Sequence, residues 1–295
     1  MSRILYKGKW DGIWDRPKYQ EMREKIKEAF KGLTFVEEGH RYFLGDKEFT
    51  CVSNVTHMFQ EHTDWEAKAE EISNRDFDNP ASKYFGMTAE DILEAWSQNS
   101  KQACEHGTER HEFGESCFYY MTGQWDKILP AFKDRLTEDG GFEALYPKEE
   151  ATVKFWEDLP QCIVPIAVEN ITYNKTLNYS GTFDMLFYYD AELVGKPAEF
   201  SGLVIFDYKT NKDLYKNFNG KTLLPPFEDL LDQPFHLYEL QLSLYQLNLE
   251  QIEGFKVHRE GRKLIWLKPS GEYQKLVVTC YKDKLAKYLT KHPVI

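Results

Sequence analysis

Two runs of the chain read as strands that should be buried on both faces, yet each is broken by a carboxylate. Side chains alternate between the faces of a strand. In the run ending Val204-Ile205-Phe206-Asp207-Tyr208-Lys209, Leu203, Ile205, Asp207 and Lys209 share one face, and Val204, Phe206 and Tyr208 share the other. Both faces are apolar up to the charges, the pattern of a strand covered on both sides. In the preceding run, Thr182, Asp184, Leu186 and Tyr188 lie opposite Phe183, Met185 and Phe187. Burying such charges is costly unless they pair or bind a metal. The chain must therefore build a covered sheet that supplies these groups with partners.

Asp190–Gly202, with Gly195 and Pro197, allows a hairpin or a longer excursion between the two runs. Neighbouring strands would bring Asp184 and Asp207 close together. Two such carboxylates repel unless protonated or bridged by a cation. Paired oxygen ligands with room for water suit Mg²⁺ or Mn²⁺. Lys209 adds a fixed positive charge able to hold an attacking water or to stabilise a pentavalent phosphate. Taken singly, either strand is better explained by an Asp207–Lys209 salt bridge with Asp184 at a strand end; the two patterns in succession favour the site.

Helical spacing in the stretch 101–123 places Ala103, Gly107, His111, Gly114 and Phe118 on one stripe. A helical glycine costs about 1 kcal/mol relative to alanine. Two of them flanking His111 predict a close approach by another backbone. His111 is then either a site residue or a core histidine with a satisfied hydrogen bond. Glu115, four residues on, is placed to support it. Gln241 and Tyr245, also four apart, share a helical face with Leu237, Leu244 and Asn248. They can bind a phosphate, lock the surroundings of a site, or form the polar edge of an amphipathic helix.

Around these runs, the pattern predicts a charged helix over 16–31 and a meander over 34–50. Helices dominate 54–136, interrupted near 76–82 by Asn79-Pro80, and a further helix covers 147–158. Strands follow at 162–173, 180–189 and 202–209, then a loop over 217–228 and a helix from 233 or 234 to 250. Short strands at 255–258, 263–268 and 274–279 and a basic helix at 281–291 end the chain. The order predicts an α/β or α+β fold with an N-terminal helical elaboration before a sheet core. The division expected is a meander and helical cap over 1–99 and a core over 100–295, forming one compact unit.

The net charge of −11 argues against a nucleic-acid partner until its distribution is considered. Residues 251–295 carry ten Lys and Arg against four Asp and Glu. That balance fits a local phosphate-binding surface, with Arg259, Arg262 and Lys263 as candidates, or simply a solvated hairpin and helix. Five scattered cysteines without a C-x-x-C pair read as reduced thiols, not a disulfide framework or a zinc site. No stretch is apolar enough to span a bilayer, and the N-terminus lacks a signal-peptide core. A cytoplasmic protein with no membrane partner is expected.

Four short patterns occur in order: Gly107-Thr108-Glu109-Arg110-His111, Gly181-Thr182-Phe183-Asp184, Asp207-Tyr208-Lys209-Thr210, and Gln241-Leu242-Ser243-Leu244-Tyr245. Together they resemble the RecB-type branch of the PD-(D/E)XK nuclease superfamily, over roughly residues 100–280. The resemblance implies a restriction-endonuclease-like core, a mixed four-stranded sheet of αβββαβ order flanked by helices. It implies that His111, Asp184, Asp207 and the main-chain carbonyl of Tyr208 hold one or two Mg²⁺ or Mn²⁺ ions. Lys209 would orient the nucleophilic water, with Asp184 and Asp207 completing the catalytic set. Gln241 and Tyr245 would belong to a nucleic-acid-binding helix, with Thr210 beside them. Glu169 resembles the acidic residue that often precedes the G-x-x-D strand and is, with Glu115, a secondary candidate. Some relatives carry an iron–sulfur cluster on one upstream and three C-terminal cysteines. Here only Cys280 lies near the C-terminus, so no cluster is expected. The activity implied is metal-dependent hydrolysis of DNA, single-stranded or with free ends, most simply by an exonuclease. Its setting would be replication, recombination or repair alongside partner proteins, in a phage or mobile element. A catalytically silent binding protein and a structure-specific endonuclease or RNase are the alternatives.

Overall fold

The computed structural model describes residues 3–294; the outermost residues of both expected regions, 1, 2 and 295, lie outside it. The elements in chain order begin with β1 (Arg3–Leu5), α1 (Pro17–Ala29), β2 (Leu33–Val36), β3 (Arg41–Leu44), β4 (Lys47–Cys51) and α2 (Val52–His57). Then come α3 (Trp65–Asp76), α4 (Ala89–Met121), β5 (Phe142–Ala144), α5 (Pro147–Asp158), β6 (Ile163–Asn174), β7 (Tyr179–Tyr189) and β8 (Gly202–Lys209). The chain ends in α6 (Pro234–Leu249), β9 (Val257–Leu267), β10 (Tyr273–Val277) and α7 (Lys282–Lys291).

An eight-stranded mixed sheet forms the centre, in the order β10-β9-β8-β7-β4-β3-β2, with β6 also paired to β7. The run α5-β6-β7-β8-α6-β9 has αβββαβ order. β6 and β7 pair antiparallel along most of their length, β7 and β8 are antiparallel, and β8 and β9 are parallel, joined through α6. A parallel pair needs a crossover of this kind. β8 is buried from Gly202 to Tyr208, as its two apolar faces predict. Phe155 of α5 lies against the rings of Phe206 and Tyr208, at 5.1 and 5.8 Å. From α6, Asn248 Nδ2 donates to Thr172 Oγ1 (2.9 Å), and the Leu244 carbonyl accepts from the Tyr179 hydroxyl (3.0 Å).

The sheet is larger than the four strands expected, because the N-terminal meander joins it through β4 and β10 extends it beyond β9. Thr50 and Cys51 of β4 pair parallel with Tyr179 and Ser180 of β7. The chain accordingly divides differently from the expected 1–99 and 100–295. One compact unit comprises Met1–Gln60 with His111–Ile295, and the other is Glu61–Arg110. Within the first sixty residues, β2, β3 and β4 join the sheet by pairing, and the boundary at residue 110 falls inside α4. The smaller unit has its own core of Ala69, Ile72 and Ile92, with Trp96 donating its indole N–H to the Tyr84 hydroxyl (2.9 Å).

Two other expectations change. The strands anticipated at 255–258 and 263–268 are one strand, β9, with a register shift against β8. Gly261 permits it: a Cβ there would stand 2.4 Å from the Leu203 carbonyl oxygen. Beyond α4, which ends at Met121, the expected helical stretch continues only as short 3₁₀ turns at Trp125–Lys127 and Pro130–Arg135, and β5 pairs with β1 in a separate two-stranded ribbon.

Candidate metal centre

The pairing around β7 opens a fork. β7 pairs with β8 from Tyr189 back to Met185, and with β4 only at Tyr179 and Ser180. Between these stretches lies Gly181–Asp184. Asp184 partly closes the fork, its Oδ2 accepting the main-chain N–H of Tyr208 at 2.7 Å. The His111 Nδ1, from α4, is 3.2 Å from the same oxygen.

Glu169 approaches from the other side of β7. Val168 pairs with Met185 and Asn170 with Phe183, so Glu169 stands across from Asp184. That register follows a one-residue shift between Pro165 and Ala167, and a one-residue slip exchanges the faces of a strand. Glu169 itself has φ +43°, in the left-handed region. A side chain held there costs about 1–2 kcal/mol, and such strain collects at functional sites. His111, Glu169 and Asp184 each bring one ligand atom to within 4.8 Å of the others.

Asp207 and Lys209 form a second pair beside this group. The Lys209 ammonium lies 2.5 Å from Asp207 Oδ2, and both side chains are almost fully buried. Neither Asp207 oxygen has a directed hydrogen bond among the described residues. The group gathered at that spacing is His111, Glu169 and Asp184; Asp207, expected beside them, pairs with Lys209 on the adjoining strand. The sequence marks Glu169 only as an acid in an apolar run; its position depends on the register shift.

The charges are interdependent. Burial alone would lower the His111 pKa, but Asp184 outweighs it and raises it to about 9. Burial, then the charge of Asp184, pushes Glu169 well above the usual carboxylate range. Asp184 is held low: burial opposes ionisation, but His111, Lys209 and the Tyr208 N–H prevail. Asp207 is pushed up to about 6 by burial and then by Asp184, against the pull of Lys209. Burial would lower the Lys209 pKa, but Asp207, the Tyr238 ring and Asp184 raise it. Burial and neighbouring charge thus favour the protonated forms of His111 and Glu169, which must give up those protons to ligate a metal. One imidazole nitrogen and two carboxylates at this spacing are a donor set that fits a single divalent ion.

Two glycines near the site, Gly114 and Gly181, have definite contacts. A Cβ on Gly114 would fall 2.3 Å from Tyr208 Cε2, so the close approach predicted along α4 is made by a ring, not by a backbone. A Cβ on Gly181 would meet Val52 Cγ2 at 2.8 Å and Tyr245 Cε1 at 3.0 Å. Tyr245 is buried, and its hydroxyl accepts from Gln241 Nε2 at 3.1 Å. These two expected nucleic-acid contacts are therefore partners of one another. Glu115 accepts from the Tyr119 hydroxyl at 2.9 Å, outside the three-ligand group. The Thr210 carbonyl accepts from Lys148 Nζ at 2.8 Å.

The basic C-terminal candidates separate. Arg262 is only 5% exposed, and its guanidinium donates to Gln246 Oε1 (2.7 Å) and to the Arg259 carbonyl (2.9 Å). It is a tie between β9 and α6, not a phosphate contact. Lys263 is half-buried and Arg259 is exposed. Sequence reasoning missed Tyr238, whose ring centroid is 4.2 Å from the Lys209 ammonium. Its place three residues before Gln241, on the same helix, was the available signal.

A scan of protein-family models and a search of curated proteins return no match to the chain. Among the described residues, no helix is long and apolar enough to cross a membrane.

Proposed function

We propose that the chain is a divalent-metal-dependent deoxyribonuclease with a restriction-endonuclease-like core, acting as an exonuclease in replication, recombination or repair. The observation that carries this reading is the meeting of His111, Glu169 and Asp184 at the β7–β8 fork, with the Asp207–Lys209 pair on the adjoining strand. His111, Glu169 and Asp184 would hold Mg²⁺ or Mn²⁺, which when bound would neutralise charge on the scissile phosphate. The chain's own groups would do the rest. Asp207 holds the Lys209 ammonium, and Lys209 would orient the attacking water and meet negative charge developing on phosphate. The Tyr208 N–H fixes Asp184, and the Tyr238 ring lies against the Lys209 ammonium.

The Asp207–Lys209 contact also favours a second reading, a nuclease-like scaffold that binds nucleic acid without cutting it. In that case the ion pair is structural. End-labelled single- and double-stranded DNA, incubated with Mg²⁺ or Mn²⁺ and with EDTA, tests both. Cleavage that needs the metal and disappears in Asp184→Asn supports the nuclease. Binding without cleavage in either metal supports the scaffold.

A further inference from the structure

The loop that leaves β8 beside Lys209 is basic and aromatic. Residues 209–221 carry four lysines against one acid, Asp213, within a chain whose net charge is −11. Two exposed rings alternate with those lysines: Tyr215 is 46% exposed and Phe218 64%. Tyr215 is held rather than loose, leaning on Phe235 (centroids 5.2 Å apart) and meeting the edge of Trp266 at 6.2 Å. The Lys216 ammonium lies 4.7 Å from the Phe218 ring, and Lys268 lies 4.6 Å from that of Trp266.

Asn211 ties this surface to the candidate site. Its carbonyl accepts the Trp266 indole N–H at 2.7 Å, and its Oδ1 accepts the Tyr238 hydroxyl at 3.0 Å. Tyr238 in turn faces the Lys209 ammonium. The aromatic surface is therefore linked to Lys209 through Tyr238 and Asn211. Supported rings interleaved with ammonium groups match unpaired bases, which offer π-faces, joined by phosphates. A duplex keeps those π-faces stacked inside, so it cannot use the rings.

We propose that the Tyr215–Trp266 surface, with Phe218 and the loop lysines, is a stacking platform for single-stranded nucleic acid. The strand's path toward Lys209 rests on the nuclease reading; the binding itself does not.

The test is the anisotropy of a labelled oligothymidylate, titrated with the full chain in EDTA so that cleavage plays no part. Tyr215→Ala and Phe218→Ala should each weaken binding by about 5- to 160-fold, the range for losing one stacked base. Tyr215→Phe should bind as wild type does. Lys212→Gln with Lys216→Gln should flatten the salt dependence of log K by about 1.4, at about 0.7 per phosphate contact. Wild-type affinity in both alanine variants would overturn the platform, as would equal wild-type affinity for a blunt hairpin duplex. The two readings fail separately. If oligothymidylate binding follows the rings but no metal supports cleavage, the nuclease reading falls and the platform stands. If Asp184→Asn abolishes cleavage while both ring variants bind normally, the platform falls alone.

Discussion

The Asp184 carboxylate accepts the main-chain N–H of Tyr208 where β7 and β8 cease to pair, and the same oxygen faces His111. One carboxylate thus holds the fork and supplies a ligand. Substitution should separate these roles. Asp184→Asn keeps an oxygen for the buried amide and should fold normally, while losing Mn²⁺ binding and cleavage. Asp184→Ala leaves the amide without its acceptor and should cost a further 1–3 kcal/mol or so in stability. Calorimetric Mn²⁺ titration and urea unfolding of both variants would check this. Equal Mn²⁺ affinity in Asp184→Asn and wild type would remove Asp184 from the centre.

Gly114 is held small by Tyr208. A Cβ there would stand 2.3 Å from a ring carbon of a buried residue. Overpacking of this kind typically costs about 1–3 kcal/mol. Gly114→Ala should lower the thermal midpoint, and because His111 lies one turn away on α4, it should also weaken Mn²⁺ binding. Trimming the ring tests the cause: Gly114→Ala should cost less in a Tyr208→Leu background than alone. Strict additivity would mean that the glycine answers to something else.

Acid sensitivity should have a contributor far from the metal centre. Asp190 is fully buried, ion-paired with Lys18, and accepts the Tyr19 hydroxyl. Burial alone would raise its pKa, but those hydrogen bonds and the Lys18 charge hold it below the usual value. A carboxylate lowered on folding stabilises fully above its unfolded pKa of about 3.9 and loses that contribution as pH falls through the folded value. Asp190→Asn should therefore be less stable at neutral pH, and its stability should fall less steeply below pH 4 or so. Parallel acid limbs for variant and wild type would contradict this.

Charge counting and burial give different forecasts for the C-terminal arginines. Arg262 is buried between Gln246 and the Arg259 carbonyl. Arg262→Ala should cost about 1–3 kcal/mol of stability, the range for a broken buried hydrogen-bonding group, without changing the salt slope of DNA binding. A reduced slope in Arg262→Ala with an unchanged unfolding midpoint would return it to the binding surface.

The strands that carry Asp184 and Asp207 were legible because a break in a two-residue period is visible in one dimension. His111 was legible through its flanking glycines, one of which, Gly114, does mark a tight contact. Glu169 was harder to read, since its position depends on a register shift and a left-handed backbone conformation that no periodicity encodes. Arg262 was misread because a charge count does not register burial. The meander β2–β4 was separated from the sheet because what joins it is a short parallel pairing of β4 with a strand well over a hundred residues later.

Lys209 decides between an enzyme and a scaffold. Its ammonium is nearly buried, paired with Asp207, and packed on the Tyr238 ring. An ammonium has no lone pair to offer a metal. Lys209→Ala should therefore keep Mn²⁺ binding while losing the charge that would meet the phosphate, and removing such a contact typically lowers the rate about 10²–10³-fold. It also leaves Asp207 buried without its cation, so a stability loss is expected whichever reading holds, and stability alone cannot discriminate. Single-turnover cleavage at saturating protein, below the unfolding temperature of the variant, does. Tyr238→Phe preserves the ring and should retain most of the rate, whereas Tyr238→Ala frees the ammonium and should not. If Lys209→Ala cuts at the wild-type rate, the pair that ends β8 is a structural salt bridge and Lys209 has no part in the chemistry.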